Sequence, residues 1–448
     1  MQGTEADSTA QNEAISNKRA GRLRVLLIAE AANPEWTSVP LIGWKLSRAL
    51  AEVVNVHLVT QVRNRNAIIR AGCKEGRDFS AIDNETFAAP LFWLSRKLRG
   101  GDGKGWTTIT AFSSLAYYSF EFELWRQFRA RLQAGEFDLV HRITPLSPTS
   151  PSIIAKKLAA LGVPFIIGPL NGGIPWPKGF RDRQHAEREW MSYIRGLYKL
   201  LPAYKSTRRY ASAIIAGSRF TYDQMPGWTK HKCVFIPENG VSRNSLSIRR
   251  HSISLPLKCA FVGRLVPYKG ADILLEAAVE SMKAGKLEID IVGDGPQRAQ
   301  LEALVARLGV QKCVRFHGFV SHAKAQDIIR NSDFFGFPSV REFGGGVVVE
   351  SMALGVPPIV ANYGGPSELV TDKTGIRVAF QNKENLVSGF KLAIEQIIER
   401  PSKLDELGTA GHFAISDKLT WDAKARQILA VYNSVLSGTR DLTFHNFQ

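Results

Sequence analysis

Ser339-Val340-Arg341-Glu342-Phe343-Gly344-Gly345-Gly346-Val347-Val348-Val349-Glu350-Ser351-Met352-Ala353 joins an apolar run to a helical pattern, and the reading of the chain turns on it. Three consecutive glycines let a backbone approach a ligand closely. They also leave amide N–H groups at a helix N-terminus, where the dipole favours an anion such as phosphate. A carboxylate there would repel phosphate, so Glu342, before the glycines, and Glu350, in the first turns of the helix, flank the anion site rather than fill it. Carboxylates accept pairs of hydroxyl hydrogen bonds. On this reading Glu350 holds a ribose and Glu342 a hexose, with a diphosphate between them. Taken singly, Glu350 as a helix-dipole carboxylate and Glu342 as a solvated loop charge would be the more common case.

Upstream, Phe261-Val262-Gly263-Arg264-Leu265-Val266-Pro267-Tyr268-Lys269-Gly270 ends a strand in glycine and presents Arg264 and Lys269 before another helix. Ligands of doubly wound sheets lie at such strand ends. A planar guanidinium and a compact ammonium together can neutralise a leaving diphosphate.

Short buried strands alternate with helical patterns throughout. Arg24–Ala29, 54–60, 138–142, 164–168 and 213–217 come first, then 258–262, 288–292, 314–317, 333–338 and Pro358–Ala361. This predicts an α/β chain of two doubly wound, Rossmann-like domains facing across a cleft, as 448 residues permit. The expected division is a disordered leader over 1–20, an acceptor-binding domain over 21–240, an exposed linker over 241–257 and a donor-binding domain over 258–415. A helical segment, 416–448, then packs back on the first domain.

Charge is uneven. Residues 1–250 hold 36 Lys and Arg against 20 Asp and Glu, whereas residues 251–448 hold 22 against 21. A basic half points to a polyanionic partner, with nucleic acid, anionic lipid headgroups and phosphorylated substrates as candidates, or to a merely soluble basic surface. Cys73, Cys233, Cys259 and Cys313 form no C-x-x-C pair, so they read as buried small residues in a reducing compartment, and no metal site is expected. The leader lacks a signal-peptide core, and no apolar run is long enough to span a bilayer. The expected location is cytosolic, or peripheral on the inner membrane face.

The two quoted segments resemble the C-terminal domain of retaining GT-B glycosyltransferases of family GT4. The family's glutamate pair matches Glu342 and Glu350, and its G-R-x-x-x-x-K-G loop matches Gly263 to Gly270. Agreement extends to Pro237-Glu238-Asn239-Gly240-Val241, Gly293-Asp294-Gly295-Pro296, Phe316-His317-Gly318-Phe319 and Gly364-Gly365-Pro366-Ser367-Glu368. The resemblance implies that Arg264 and Lys269 contact the donor diphosphate beside Gly263, that Glu350 takes the ribose, and that Glu342 takes the transferred sugar. It places the Phe319–Val320 backbone at the base, and Phe343, Gly344, Gly345 and Gly346 around the phosphates. It implies a UDP- or GDP-sugar co-substrate, no cofactor and no metal, in keeping with the lack of a D-x-D motif. The acceptor would be lipid-linked or an oligosaccharide.

In the first half only Gly43 matches the glycine pair that in the family follows the first strand and binds phosphate and acceptor, so the resemblance places Gly43 on the acceptor side. Phe137-Asp138-Leu139-Val140-His141 resembles the strand end whose histidine faces the donor sugar, which places His141 in the cleft. Asn171 and Gly172, in a rigid turn cluster, are expected on the acceptor side. From Arg181 to Tyr210, Trp190, Tyr193, Leu197, Tyr198, Leu200 and Leu201 mix with Arg181, Arg183, Arg188, Arg195, Lys199, Lys205, Arg208 and Arg209. That mixture suits an anionic membrane surface, or a helix with a solvated basic face. Sugar-nucleotide epimerases and sugar phosphate phosphorylases share the fold and stay open as alternatives. A nucleic-acid-binding role, suggested by a pI near 9.8, lacks any recognisable binding motif, so no nucleic-acid partner is expected.

Overall fold

The computed structural model describes residues 21–87, 90, 106–186, 197–248, 253–439 and 441–442. The expected leader lies outside them. Two parallel sheets follow one another along the chain. The first comprises β1 (Arg24–Ala29), β2 (Asn55–Gln61), β3 (Phe79–Ile82), β4 (Leu139–Thr144), β5 (Phe165–Leu170), β6 (Ala213–Ala216) and β7 (Cys233–Phe235), in the order β3-β2-β1-β4-β5-β6-β7. The second comprises β8 (Leu257–Val262), β9 (Leu287–Val292), β10 (Val314–Gly318), β11 (Phe334–Phe337), β12 (Pro358–Ala361) and β13 (Ile376–Val378), in the order β10-β9-β8-β11-β12-β13.

Alternation along β1 shows why the first sheet is covered on both faces. Val25, Leu27 and Ala29 enter one core and Leu26 and Ile28 the other, all fully buried. The second core is roofed by the long helix Trp106–Gln133 through Phe120, Leu124 and Phe128. The first is closed by the helix Trp421–Leu436, which returns from the second domain and buries Ala425, Ile428, Val431 and Tyr432 beside Leu46 and Leu50 of the helix Val39–Ala51. A third core belongs to the second sheet.

Three strands, β3, β7 and β13, are absent from the sequence reading. All three stand at sheet edges and span only three or four residues, too short for a buried run to register. The segment 241–257, expected to be an exposed linker, is tied down in part. Val241 is buried and exchanges backbone hydrogen bonds with Leu419 and Trp421, at 2.9 and 3.0 Å. The Ser247 amide donates to the Ala353 carbonyl at 3.2 Å. Cys233 and Cys259 are buried, but Cys73 and Cys313 are only half-buried.

Candidate active site

In the second sheet the strand order reverses between β8 and β11, so the loops leaving these two adjacent strands open on either side of the switch point. The β8 loop carries Arg264, which is exposed, and a short turn Pro267–Lys269. The β11 loop carries Glu342 and the glycines, then enters the helix Gly346–Ala353. Hydrogen bonds join the loops directly: the Val340 amide donates to the Tyr268 carbonyl at 2.9 Å and the Ser339 hydroxyl to the same oxygen at 3.2 Å. Lys269 and Glu342 form an ion pair with side chains only 15% and 21% exposed. Burial works against the Lys269 charge, but Glu342 and Tyr268 outweigh it and hold the ammonium above its ordinary range.

Gly345 caps the helix in the left-handed region at φ 63°, which a glycine adopts without cost. Gly344 is required by crowding instead. A Cβ there would stand 2.1 Å from both the Glu238 Oε1 and the Asn239 Nδ2 of the interdomain junction. The Gly365 amide donates to the Glu342 carbonyl at 3.0 Å and so fixes the opposite side of the loop.

Glu350 lies on the same helix, with one carboxylate oxygen 3.1 Å from His322 Nε2. His322 opens the helix His322–Arg330, with only the capping Ser321 between it and Val320, so Glu350 and the loop expected at the base share one neighbourhood. Phe319 itself is 87% exposed. The hydrogen bond to Glu350 raises the His322 pKa; partial burial and Lys45, from the first domain, oppose it.

The expectations for the first domain fare less well. His141 does not face the cleft. It is fully buried, its Nε2–H donates to the Gly168 carbonyl at 2.8 Å, and the Tyr432 hydroxyl donates to Nδ1 at 2.6 Å. Burial lowers its pKa to about 4, so it is a neutral packing residue with both nitrogens occupied. Gly43 is likewise structural: a Cβ would meet the Ala31 carbonyl at 2.2 Å, so the glycine lets its helix close on the β1 loop. Asn171 is buried beside Glu238, and the Gly172 carbonyl is 3.4 Å from the Thr221 hydroxyl. In the basic aromatic segment, Arg188, Trp190, Tyr193 and Arg195 lie outside the described residues. Among the described members, Arg208 is buried against Tyr204 and Arg183 is paired with Asp272, neither displayed on the surface.

Two groups have partners that sequence reasoning did not foresee. Glu238 and Lys424 are buried where the returning helix meets the junction. Burial raises the Glu238 carboxyl to about 7, opposed by Asn171 and Lys424, and lowers Lys424 to about 7, opposed by Glu238. The other group is the strap after β5, which crosses to the second domain and buries Phe180 in its core. Nothing local signals either one, because each partner lies far away in sequence.

Residues 251–411 match the family model of group 1 glycosyl transferases. That segment is thus similar to a group 1 glycosyl transferase domain. The similarity extends to curated relatives: a D-inositol 3-phosphate glycosyltransferase of Segniliparus rotundus is 32% identical over 185 residues, 40% of each chain. The chain spans less than half the length of the first curated relatives it matches. Among solved structures, Anabaena HepE in complex with UDP superposes with a TM-score of 0.60 at 16% identity, covering 92% of this chain and all of that one. The lipopolysaccharide outer core galactosyltransferase WaaB superposes at 0.62 with 14% identity, covering 93% and 99%. The fold is therefore GT-B, with the segment similar to a glycosyl transferase domain in its second half.

Proposed function

We propose that the chain transfers a sugar from a UDP- or GDP-sugar to an acceptor hydroxyl, with retention and without a metal, in polysaccharide or glycolipid synthesis. The observation that carries this reading is the Lys269–Glu342 pair, where the two side chains expected at the diphosphate and the sugar meet across the switch point. Arg264 and Lys269 neutralise the leaving diphosphate, assisted by amides at the start of the helix Gly346–Ala353. Glu350 takes the ribose hydroxyls, Glu342 the sugar hydroxyls, and the Phe319–Val320 backbone the base. The bond from the anomeric carbon to the diphosphate oxygen breaks, the acceptor oxygen bonds on the same face, and its proton leaves on the diphosphate. The UDP seen with HepE supports a uridine donor.

The excess of 36 basic over 20 acidic residues in positions 1–250 supports an anionic or lipid-linked acceptor at a cytoplasmic membrane surface. No helix among the described residues is long and apolar enough to cross a membrane. Incubation with a panel of nucleotide sugars tests the donor reading. One of them should raise the melting temperature and be turned over, and Lys269→Met should abolish the turnover. If no nucleotide sugar binds, the reading is wrong.

A further inference from the structure

The strap between β5 and the helix Arg181–Ala186 belongs to the first domain by sequence, yet its side chains grip the loops of the second. Phe180 is buried in the second domain's core with its ring edge-on to Phe380, centroids 5.4 Å apart. Trp176 stands edge-on to Tyr268 at 6.2 Å, and Arg341, beside Glu342, lies over the Trp176 ring at 5.1 Å. The Tyr363 hydroxyl donates to the Pro175 carbonyl at 2.9 Å.

Arg183, in the first turn of the helix that ends the strap, makes a more specific contact. Its Nη1 donates to the Pro267 carbonyl, the first residue of the turn that presents Lys269. The same guanidinium meets Asp272 at 2.6 and 3.2 Å, with side chains 12% and 17% exposed. Asp272 also faces Lys383 at 3.3 Å, and Lys383 is paired with Glu276 at 2.8 Å, so the aspartate is anchored independently of the strap. A rigid fork thus spans the carbonyl of the turn and the helix behind it, a geometry an ammonium cannot copy. The next carbonyl in that turn, Tyr268, accepts from Val340, so the hold passes to the loop of Glu342.

We propose that Arg183 is a positioning residue: from the first domain it holds the Pro267–Lys269 turn, so that Lys269 and Glu342 are set for the donor only while the strap is docked. This rests on the donor reading given above. It makes docking of the acceptor-side domain a condition of donor-site geometry, through a contact remote from the chemistry.

Two readouts on the full chain test it. Hydrogen exchange follows the amides of Lys269, which donates to the Val266 carbonyl at 3.0 Å, and Val340, which donates onto the turn at Tyr268 at 2.9 Å. In Arg183→Ala they should exchange roughly tenfold faster, with amides of β1 unchanged. With UDP-glucose as donor, kcat should fall roughly ten- to a hundredfold with a smaller change in donor KM, and Arg183→Lys should recover only part of it. A lower melting temperature with unchanged exchange at Lys269 and unchanged kcat would make Arg183 a simple tether and overturn the proposal. If the wild type turns over no nucleotide sugar, the donor reading fails, and the exchange readout alone still decides whether Arg183 holds the turn. Should Arg183→Ala fail to fold, Arg183→Gln is read by the same measurements.

Discussion

Gly344→Ala adds one methyl group at the most crowded point of the glycine loop. Its Cβ would lie 2.1 Å from Glu238 Oε1 and from Asn239 Nδ2, where ordinary contact begins at 3.4 Å, so each must retreat by about 1.3 Å. Neither can do so cheaply. Glu238 is 7% exposed and coupled to buried Lys424, and Asn239 lies beside the start of the same helix, where a Cβ on Gly346 would also meet its Oδ1. Overpacking of this kind costs about 1–3 kcal/mol, which for a domain of this size lowers the melting temperature by about 2–10 °C. The loop that should yield is the one that offers its amides to phosphate, so the thermal shift given by UDP should shrink as well. Gly346→Ala is the control: its nearest contact, Asn239 Oδ1 at 3.1 Å, needs an adjustment of only a few tenths of an ångström. Differential scanning fluorimetry with and without UDP reads both effects. If Gly344→Ala melts with the wild type and keeps the full UDP shift, the packing of the junction against the loop is not as described.

Further outcomes follow from the same geometry. Lys269→Met and Glu342→Gln should each lower kcat by about 10²–10³-fold, since the preorganised charge is lost, while far-UV circular dichroism stays native. Retained transferase activity in both would refute their roles. Tyr432→Phe leaves His141 Nδ1 buried without its donor and should cost about 1–3 kcal/mol in chemical denaturation, with no effect on donor KM. A selective loss of donor affinity instead would return His141 to the site. His322 titrates above its ordinary value because of Glu350, so its ion pair is complete at low pH and dissolves as pH rises through that raised value. If ribose takes the same carboxylate, UDP affinity by calorimetry should improve between about pH 6 and pH 8. His322→Ala should flatten this dependence; an unchanged slope would show that His322 does not compete.

The architecture was legible because parallel strands buried on both faces write themselves as continuous apolar runs; β12 carries that signal over its whole length and β1 from Val25 onward. The edge strands β3, β7 and β13 do not, for they are short and shared with loops. At the site, Lys269, Glu342 and Glu350 could be singled out because glycine punctuation and strand ends constrain their surroundings locally. His141 misled for an equally physical reason. Its strand position points toward the face where Tyr432 arrives, and nothing within 290 residues of it announces that partner. Arg183, Glu238 and Lys424 depend on contacts between domains, which no local pattern encodes.

The helix Trp421–Leu436 has a consequence for biosynthesis. A nascent chain emerges with its first sheet leading, yet that sheet lacks Ile428, Val431 and Tyr432 of its own core until the second sheet and everything after it have been translated. The domain made first is the domain finished last. Until then His141 has no donor for Nδ1 and one wall of the sheet stays open to water, so a ribosome stalled before residue 421 should display a sticky, protease-sensitive leading domain.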